Sequence, residues 1–238
     1  MFPRLYAFVR SRFSREEAVG LYFTVGFLVC ALLVIVFGLL ANLVFDELRL
    51  ENLDRWATLA VRQHHSPGLD GLALAVTYFG GHGFLLPATL AVCGILAIRG
   101  RRVSAILFAG SVAGGVVLNL LLKLSFARAR PDLWEALVTE RTYSFPSGHA
   151  AIGTVFFGGL AAVVFHVTRK TWVRLLALIG SAAMIVLIAG SRVYLGAHWL
   201  SDVAAGLLVG LFWVIVAATG TQFFARRSQI TSRKIGPS

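Results

Sequence analysis

Six long stretches without Lys, Arg, Asp or Glu dominate this chain of 238 residues. They span residues 18–45, 71–98, 103–122, 150–168, 175–191 and 203–225. A helix needs about 17–25 mostly apolar residues to cross the hydrocarbon core of a bilayer, and each stretch reaches or approaches that length. Because 58% of the residues are hydrophobic and only 14% are charged, we predict an all-α, polytopic membrane protein, a bundle of six transmembrane helices.

The polar connections between these stretches are too short to form a soluble domain. The longest lie at about 46–70 and 123–147. We therefore predict a single membrane domain over residues 1–238, with polar tails at about 1–17 and 226–238. The first connection is expected to lie along the membrane interface as a short amphipathic helix. Cys30 and Cys93 fall inside apolar stretches, which predicts packing residues and not a disulfide or a metal site.

The Lys and Arg residues are distributed according to the side of the membrane. Most of the 22 lie before the first stretch, between the second and third, between the fourth and fifth, and after the sixth. The positive-inside rule assigns this side to the cytoplasm, so both termini are predicted to be cytoplasmic. The same distribution argues against nucleic-acid binding, which the net charge of +11 would otherwise suggest. Basic residues on the opposite, outer side need a separate explanation.

Two outer segments carry ionisable side chains at predicted helix ends. In KLSFARARP, Lys123 closes the third stretch and Arg130 follows in the next connection. Alone, this pattern is typical of cations that reach toward lipid headgroups. In PSGH, Ser147 is a suitable N-cap for the fourth helix. Capping leaves His149 unexplained.

A third outer segment, SRVYLGAHWLSD, links the fifth and sixth stretches. Arg192 stands at the end of the fifth helix. His198 and Asp202 are four residues apart, which predicts that they share one helical face within hydrogen-bond reach. Taken alone, the pair is either a structural cap or a catalytic dyad.

The predicted topology brings the three segments to one surface. Helices three and five run outward and helices four and six run inward, so these four ends meet at the outer side. The meeting point combines three cations with the backbone N–H groups of a helix start, at Lys123, Arg130, Arg192, Ser147 and Gly148. Such a set of donors favours phosphate as the ligand.

The segments resemble the motifs K-x6-R-P, P-S-G-H and S-R-x5-H-x3-D of the type 2 phosphatidic acid phosphatase (PAP2) superfamily, in its membrane-integral lipid phosphatase branch. Every fixed position of the three motifs agrees. Each motif is weak alone, but the ordered set is specific. The likeness covers a core of about 71–225.

Cleavage of a phosphate ester needs a nucleophile, a proton donor for the leaving oxygen and positive charge around the transferring group. We assign the nucleophile to His198, its orientation to Asp202 and the proton transfer to His149, and the resemblance implies the same three roles. The predicted phosphate-binding residues are Lys123, Arg130, Ser147, Gly148 and Arg192. No metal or cofactor is expected, because the acidic clusters typical of metal-dependent hydrolysis are missing near the motifs.

Four nearby residues have no single interpretation. His82, in the sequence YFGGHGF, is either a packing histidine or part of the lining of a substrate groove. Arg128, Glu140 and Arg141 either belong to the site or are solvated loop charges.

A phosphate site at the outer interface of a membrane bundle predicts a lipid phosphatase that cleaves a lipid phosphate monoester or diphosphate through a phosphohistidine. The resemblance implies undecaprenyl diphosphate, our leading prediction, or phosphatidylglycerol phosphate, phosphatidate or lipid A phosphates. We expect a bacterial plasma membrane with the site on its periplasmic or extracytoplasmic side, and a lipid phosphate or diphosphate substrate and membrane lipids as partners. The alternatives are a phosphotransferase with the same intermediate and a non-enzymatic transporter or scaffold.

Overall fold

The computed structural model describes residues 17–45, 49–133, 137–138, 140 and 142–234. Within these ranges the chain forms eight α-helices and no strand. They are α1 (Glu17–Phe45), α2 (Arg49–Arg62), α3 (Pro67–Tyr78), α4 (His82–Ile98), α5 (Arg102–Phe126), α6 (Gly148–Val167), α7 (Thr171–Tyr194) and α8 (Leu200–Lys234). The prediction of an all-α membrane fold is confirmed.

Five helices of the described chain are long and apolar enough to cross a membrane, at Phe23–Phe45, Arg102–Phe126, Gly148–Val167, Thr171–Tyr194 and Leu200–Gly220. A sixth span arises if α3 and α4 are counted together, and these two helices meet at an angle of 43°. The expectation of one continuous helix over 71–98 is therefore wrong. Which side of the membrane holds the termini stays a prediction.

Gly80 allows the break between α3 and α4. A Cβ atom on Gly80 would lie 2.5 Å from Cγ2 of Ile188 and 3.2 Å from Cδ2 of His149. Glycine lets the bend approach α6 and α7 this closely, where any side chain would force them apart. The bend thus places backbone beside the His149 ring. His82 begins α4 and is exposed, so its interpretation as a packing histidine is wrong.

The amphipathic helix expected in the first connection is α2. Its buried side chains are Asp54, Ala57 and Thr58, whereas Leu53 and Trp56 are exposed. The buried side of α2 packs against α7 and α8. Helix α2 is thereby fixed at the end of the bundle where α7 ends and α8 begins.

The centre of the bundle is α6, which packs against α5, α7 and α8. Its contact with α8 depends on small residues. A Cβ atom on Gly206 would lie 2.6 Å from the carbonyl oxygen of Ser147, and one on Gly210 would lie 2.7 Å from that of Ala151. This close approach lets the backbone N–H of Ser147 donate to the carbonyl oxygen of Asp202 at 2.9 Å. The starts of α6 and α8 are therefore joined directly.

The first helix packs on the outside of α8 and on an aromatic cluster. The ring of Phe37 lies 5.7 Å from the ring of Phe145, and that of Phe45 lies 5.4 Å from the ring of Phe126. Phe145 is completely buried and immediately precedes the PSGH segment. The cluster thus anchors that segment from its apolar side. Cys30 and Cys93 are partly buried free thiols.

We predict that Gly206→Ala destabilises the protein by roughly 1–3 kcal/mol, the usual range for an overpacked core. The added methyl group would meet the backbone of Ser147, which cannot move without shifting the start of α6. Gly180→Ala is the matched control, because no atom lies within 4 Å of its Cβ position. Thermal unfolding in detergent checks both variants. An unchanged melting temperature for Gly206→Ala would contradict the close packing of α6 on α8.

Candidate active site

The three outer segments meet where α5 and α7 end and α6 and α8 begin. The structure brings all eight predicted site residues into one connected cluster, comprising Lys123, Arg130, Ser147, Gly148, His149, Arg192, His198 and Asp202. Most of them are buried, and Arg192, His198 and Asp202 are at most 1% exposed. A group of charged residues this deeply buried requires partners for each charge.

His198 lies in the turn between α7 and α8. The expectation that it shares a helical face with Asp202 is wrong, because α8 begins only at Leu200. Gly196 has a φ of 70° in this turn, a conformation that favours glycine. The backbone N–H of His198 donates to the carbonyl oxygen of Arg192 at 3.3 Å. A folded turn, rather than a helix, therefore sets the position of the ring.

The carboxylate of Asp202 fixes one side of this ring through a serine. The hydroxyl of Ser144 donates to Oδ2 of Asp202 at 2.5 Å and lies 3.3 Å from Nδ1 of His198. Nδ1 itself is 3.6 Å from Oδ2, which is longer than a hydrogen bond. Oδ2 also accepts the N–H of Trp199 at 2.9 Å, as in half of a capping box. These contacts favour a proton on Nδ1.

The other ring nitrogen faces a cation. Nε2 of His198 lies 3.3 Å from Nη1 of Arg130, which can only donate, so Nε2 carries the lone pair. Hydrogen bonds to the carbonyl oxygens of Ala197, at 2.7 Å, and Thr142, at 2.8 Å, hold Arg130 in place. Burial lowers the pKa of His198 to about 4, although the carboxylate of Asp202 acts in the opposite direction. The imidazole is therefore neutral at physiological pH.

Glu140 lies between the second histidine and a buried arginine. Nη2 of Arg192 donates to Oε1 of Glu140 at 2.5 Å, and Nη1 donates to Oγ1 of Thr77 at 2.8 Å. Nδ1 of His149 lies 3.8 Å from the same Oε1. Arg192 is therefore held by α3 and by the loop before α6. The loop carboxylate lies beside His149, at a distance longer than a hydrogen bond.

A cavity of about 480 Å³ opens beside these groups. Lys123, Arg130 and Glu140 line its polar part, while Leu120 and Leu124 line its apolar edge and are exposed on the outside of α5. Nζ of Lys123 donates to the carbonyl oxygen of Tyr143 and is buried. The interpretation of Lys123 as a cation that reaches toward headgroups is therefore wrong. The cavity joins a cationic pocket to a lipid-facing apolar surface.

Three buried donors around the start of α6 have no hydrogen-bond partner among the residues that the structure describes. They are Oγ of Ser147, Nε of Arg192 and Nδ2 of Asn119. Ser147 does occupy the N-cap position of α6, but its hydroxyl makes no capping bond, so the capping interpretation fails for the side chain. Asn119 lies one turn before Lys123, and its Oδ1 would be 3.2 Å from a Cβ atom on Gly148. Unpaired buried donors cost about 1–3 kcal/mol each, and an anionic ligand would satisfy them.

Comparison with known proteins gives this cluster a family. The model of the PAP2 superfamily matches residues 104–226. This chain belongs to the PAP2 superfamily. Phosphatidylglycerophosphatase B of Bacillus subtilis is 30% identical over 156 residues, which are 65% of this chain and 75% of that protein. An undecaprenyl-diphosphatase of Sulfolobus acidocaldarius is 32% identical over 149 residues, 60% of this chain and 66% of that protein.

Solved structures support the same fold. The crystal structure of a transmembrane PAP2-type phosphatidylglycerolphosphate phosphatase from Bacillus subtilis superposes with a TM-score of 0.75 and 26% identity. The superposition covers 81% of this chain and 96% of that one. The crystal structure of LpxE from Aquifex aeolicus superposes with a TM-score of 0.54 over 72% of this chain and 96% of that one, also at 26% identity.

Several residues of this PAP2 site were missed or left open by sequence reasoning. Arg128 and Glu140 were equally consistent with solvated loop charges, yet both contact site residues. Ser144, Asn119 and Asp54 lie outside the motif positions and carry no sequence signal of their own. Arg141 lies outside the described residues. Among the described residues, no group of three or more His, Cys, Asp or Glu residues is arranged to hold a metal ion.

We predict that Arg192→Lys weakens the binding of inorganic phosphate about tenfold or more. Thr77 and Glu140 hold the two terminal nitrogens of the Arg192 guanidinium, and the single ammonium group of lysine cannot make the same planar set of hydrogen bonds. Bound phosphate raises the melting temperature of the folded protein, so the shift at fixed phosphate concentration, taken relative to each variant's own baseline, measures the effect. Arg55→Lys, on the exposed side of α2, should keep the wild-type shift. An equal shift of the melting temperature in both variants would show that Arg192 does not bind the phosphate.

Proposed function

We propose that this protein is a membrane lipid phosphatase that cleaves a lipid phosphate monoester or diphosphate through a phosphohistidine intermediate. The observation that carries the proposal is the state of His198. Its ring is buried and neutral, and the lone pair on Nε2 points toward Arg130 at the edge of a cation-lined cavity. Named relatives of the chain are phosphatases that act on lipid phosphates.

In the first step, Nε2 of His198 attacks phosphorus while the bond from phosphorus to the leaving oxygen breaks. His149, in its protonated imidazolium form, gives a proton to that oxygen and becomes neutral, so a neutral alcohol or a protonated phosphate departs. Lys123, Arg130 and Arg192 bind the non-bridging oxygens and stabilise the charge of the transferring group. The proton on Nδ1 stays with the ring, where Ser144 and Asp202 stabilise the positive charge that develops.

In the second step, water attacks the phosphohistidine. His149, now without its proton, takes one from the water, and the bond between phosphorus and Nε2 breaks. Inorganic phosphate leaves and both histidines return to their starting states. A proton transfer of this kind is typically worth 10²–10⁴-fold in rate. Glu140 lies 3.8 Å from Nδ1 of His149, where its charge favours the protonated form of the ring.

We propose that the reaction needs no metal ion. The positive charge that a metal would supply comes here from Lys123, Arg130 and Arg192, with the hydroxyl of Ser147 and the amide of Gly148 as neutral donors. The two carboxylates of the site are already engaged: Asp202 by Ser144, Trp199 and Arg128, and Glu140 by Arg192.

The proposed substrate has its headgroup in the cationic pocket and its tail along the apolar edge formed by Leu120 and Leu124. Undecaprenyl diphosphate is our leading substrate and phosphatidylglycerol phosphate its closest competitor, since relatives carry the names of both activities. We further propose that the chain resides in a bacterial plasma membrane with the site on the outer side, as the distribution of basic residues predicts.

The decisive experiment is phosphate release by detergent-purified protein from a panel of lipid phosphates and diphosphates with excess chelator. We expect release by the wild type and a loss of at least about 10³-fold in His198→Ala, because the variant lacks the nucleophile. His166→Ala is the matched control, as His166 is an exposed residue at the far end of α6.

Each result of this panel has a separate meaning. An active His198→Ala variant would exclude the phosphohistidine. Release that stops with chelator would exclude the metal-free mechanism. Transfer of labelled phosphate to a lipid or sugar hydroxyl, without release, would identify a phosphotransferase. Turnover of a glycerolipid phosphate while undecaprenyl diphosphate is untouched would overturn the leading substrate.

The protonation of His198 gives an independent prediction. The ordinary pKa of histidine is about 6.5, and burial lowers that of His198 to about 4. The lone pair is therefore available at neutral pH and is lost only as the pH falls through about 4. NMR of ¹⁵N-histidine-labelled protein, with the signal assigned by its loss in His198→Ala, measures the midpoint. A midpoint near the ordinary value would contradict a neutral, desolvated ring.

A further inference from the structure

A buried carboxylate on α2 makes contact with the catalytic end of α8. Asp54 is only 1% exposed, and both of its oxygens are hydrogen-bonded. Oδ1 accepts the backbone N–H of Ser201 at 2.9 Å, and Oδ2 accepts the Ser201 hydroxyl at 2.5 Å. Oδ2 also accepts Nη2 of Arg128 at 2.9 Å. The interfacial helix is thus bonded to the residue that immediately precedes Asp202.

Arg128 bridges two buried carboxylates. Its Nη2 faces Asp54, while its Nη1 donates to Oδ1 of Asp202 at 2.6 Å and to the hydroxyl of Ser201 at 2.7 Å. The guanidinium also lies over the ring of Trp199, 5.8 Å from its centroid. One cation is therefore shared between the catalytic carboxylate and a carboxylate from a different helix.

The two oxygens of Asp202 contact different groups. Oδ1 is bound by Arg128, and Oδ2 faces Ser144 and Nδ1 of His198. Holding Oδ1 fixes the plane of the carboxylate and so aims Oδ2 at the ring. The charge matters as well as the direction, because a cation beside Asp202 weakens its support for positive charge on His198.

Asp54 offsets that effect. When both carboxylates are present, the positive charge of Arg128 is paired with two negative charges and stabilises each of them less. With Asp54 neutral, Arg128 would be paired with Asp202 alone, and Asp202 would stabilise a developing imidazolium less well. The loss would fall on the chemical step, since only there does the His198 ring become charged.

We infer that Asp54 is a positioning residue, which acts through Arg128 to set the orientation and effective charge of Asp202. This inference rests on the proposed function and extends it to a helix outside the matched family region of residues 104–226. The apolar residues Leu53 and Trp56 of the same helix are exposed. The helix that lies at the membrane surface thus supplies part of the catalytic environment.

Asp54→Asn tests the charge with little change in shape. We expect kcat to fall about 10–100-fold, the range for partners that orient an active-site ligand, while KM stays within about threefold, because Asp54 does not touch the phosphate pocket. Asp54→Glu restores the charge but disturbs the packing. If charge is what matters, Glu retains more activity than Asn; if Asp54 only anchors α2, Asn retains more than Glu.

Asp70→Asn is the matched control. Asp70 also ties the outer connection to α7, since it accepts the hydroxyl of Tyr194 at 2.7 Å, but it has no contact with Asp202 among the described interactions. Its variant should keep kcat within about twofold. A similar loss in Asp70→Asn and Asp54→Asn would mean that the outer connection acts only as a structural clamp, and would overturn the inference.

A second measurement does not depend on turnover. The ¹⁵N shifts of His198 report the charge environment of its ring, and we expect them to move in Asp54→Asn and to keep their wild-type values in Asp70→Asn. An unchanged spectrum and unchanged kcat in Asp54→Asn, with His198→Ala inactive, would sink the inference and leave the proposed function intact. An active His198→Ala would instead remove the proposed function.

Discussion

The site is organised around the carboxylate of Asp202, which is completely buried and hydrogen-bonded on both oxygens. Removing such an ion from water costs several kcal/mol unless partners replace the lost solvation. The partners come from three separate parts of the chain: Arg128 after α5, Ser144 before α6, and Trp199 at the start of α8. Satisfying this one charge therefore requires the ends of several helices to meet at a single point.

The helix packing makes this meeting possible. Gly206 lets α8 approach the first turn of α6, and Gly80 lets the broken span approach the ring of His149. Both are places where a side chain would collide with backbone or with a buried ring. Because bilayer lipid provides no hydrophobic force between helices, close contact through small residues is a main source of association in membranes. The contacts that hold the bundle together are thus the ones that place the residues of the candidate site.

Much of this architecture was predictable from residue order, and the failures have local causes. Apolar length identified the membrane-crossing segments because hydrocarbon thickness fixes the length of a span. It could not detect the bend at Gly80, since that break depends on contacts with Ile188 and His149 from distant parts of the chain. The motifs identified His198 and Asp202, but helical periodicity misplaced His198, which lies in a turn made by Gly196.

Residues that act through tertiary contacts were beyond sequence reasoning. Ser144 lies two residues before the PSGH motif but at none of its fixed positions, yet its hydroxyl links the ring of His198 to the carboxylate of Asp202. Asp54 precedes Asp202 by more than a hundred positions, and its link to the site exists only because α2 packs on α8. Burial of an acid can be predicted from one face of an amphipathic helix, but the identity of its partner cannot.

The pairing of buried polar groups differs between two neighbouring regions of the site. A folded chain ordinarily pairs its buried polar groups, and around Asp202 it does so thoroughly. A short distance away, Ser147, Asn119 and Arg192 each keep a donor that no described residue pairs. The proposed function explains this difference: the first region would be rigid before the substrate arrives, and the second would gain its bonds from the substrate. A phosphate in the second region would hydrogen-bond to the three donors. The free energy of folding that is lost while they are unpaired would then be regained on binding, as affinity for an anion.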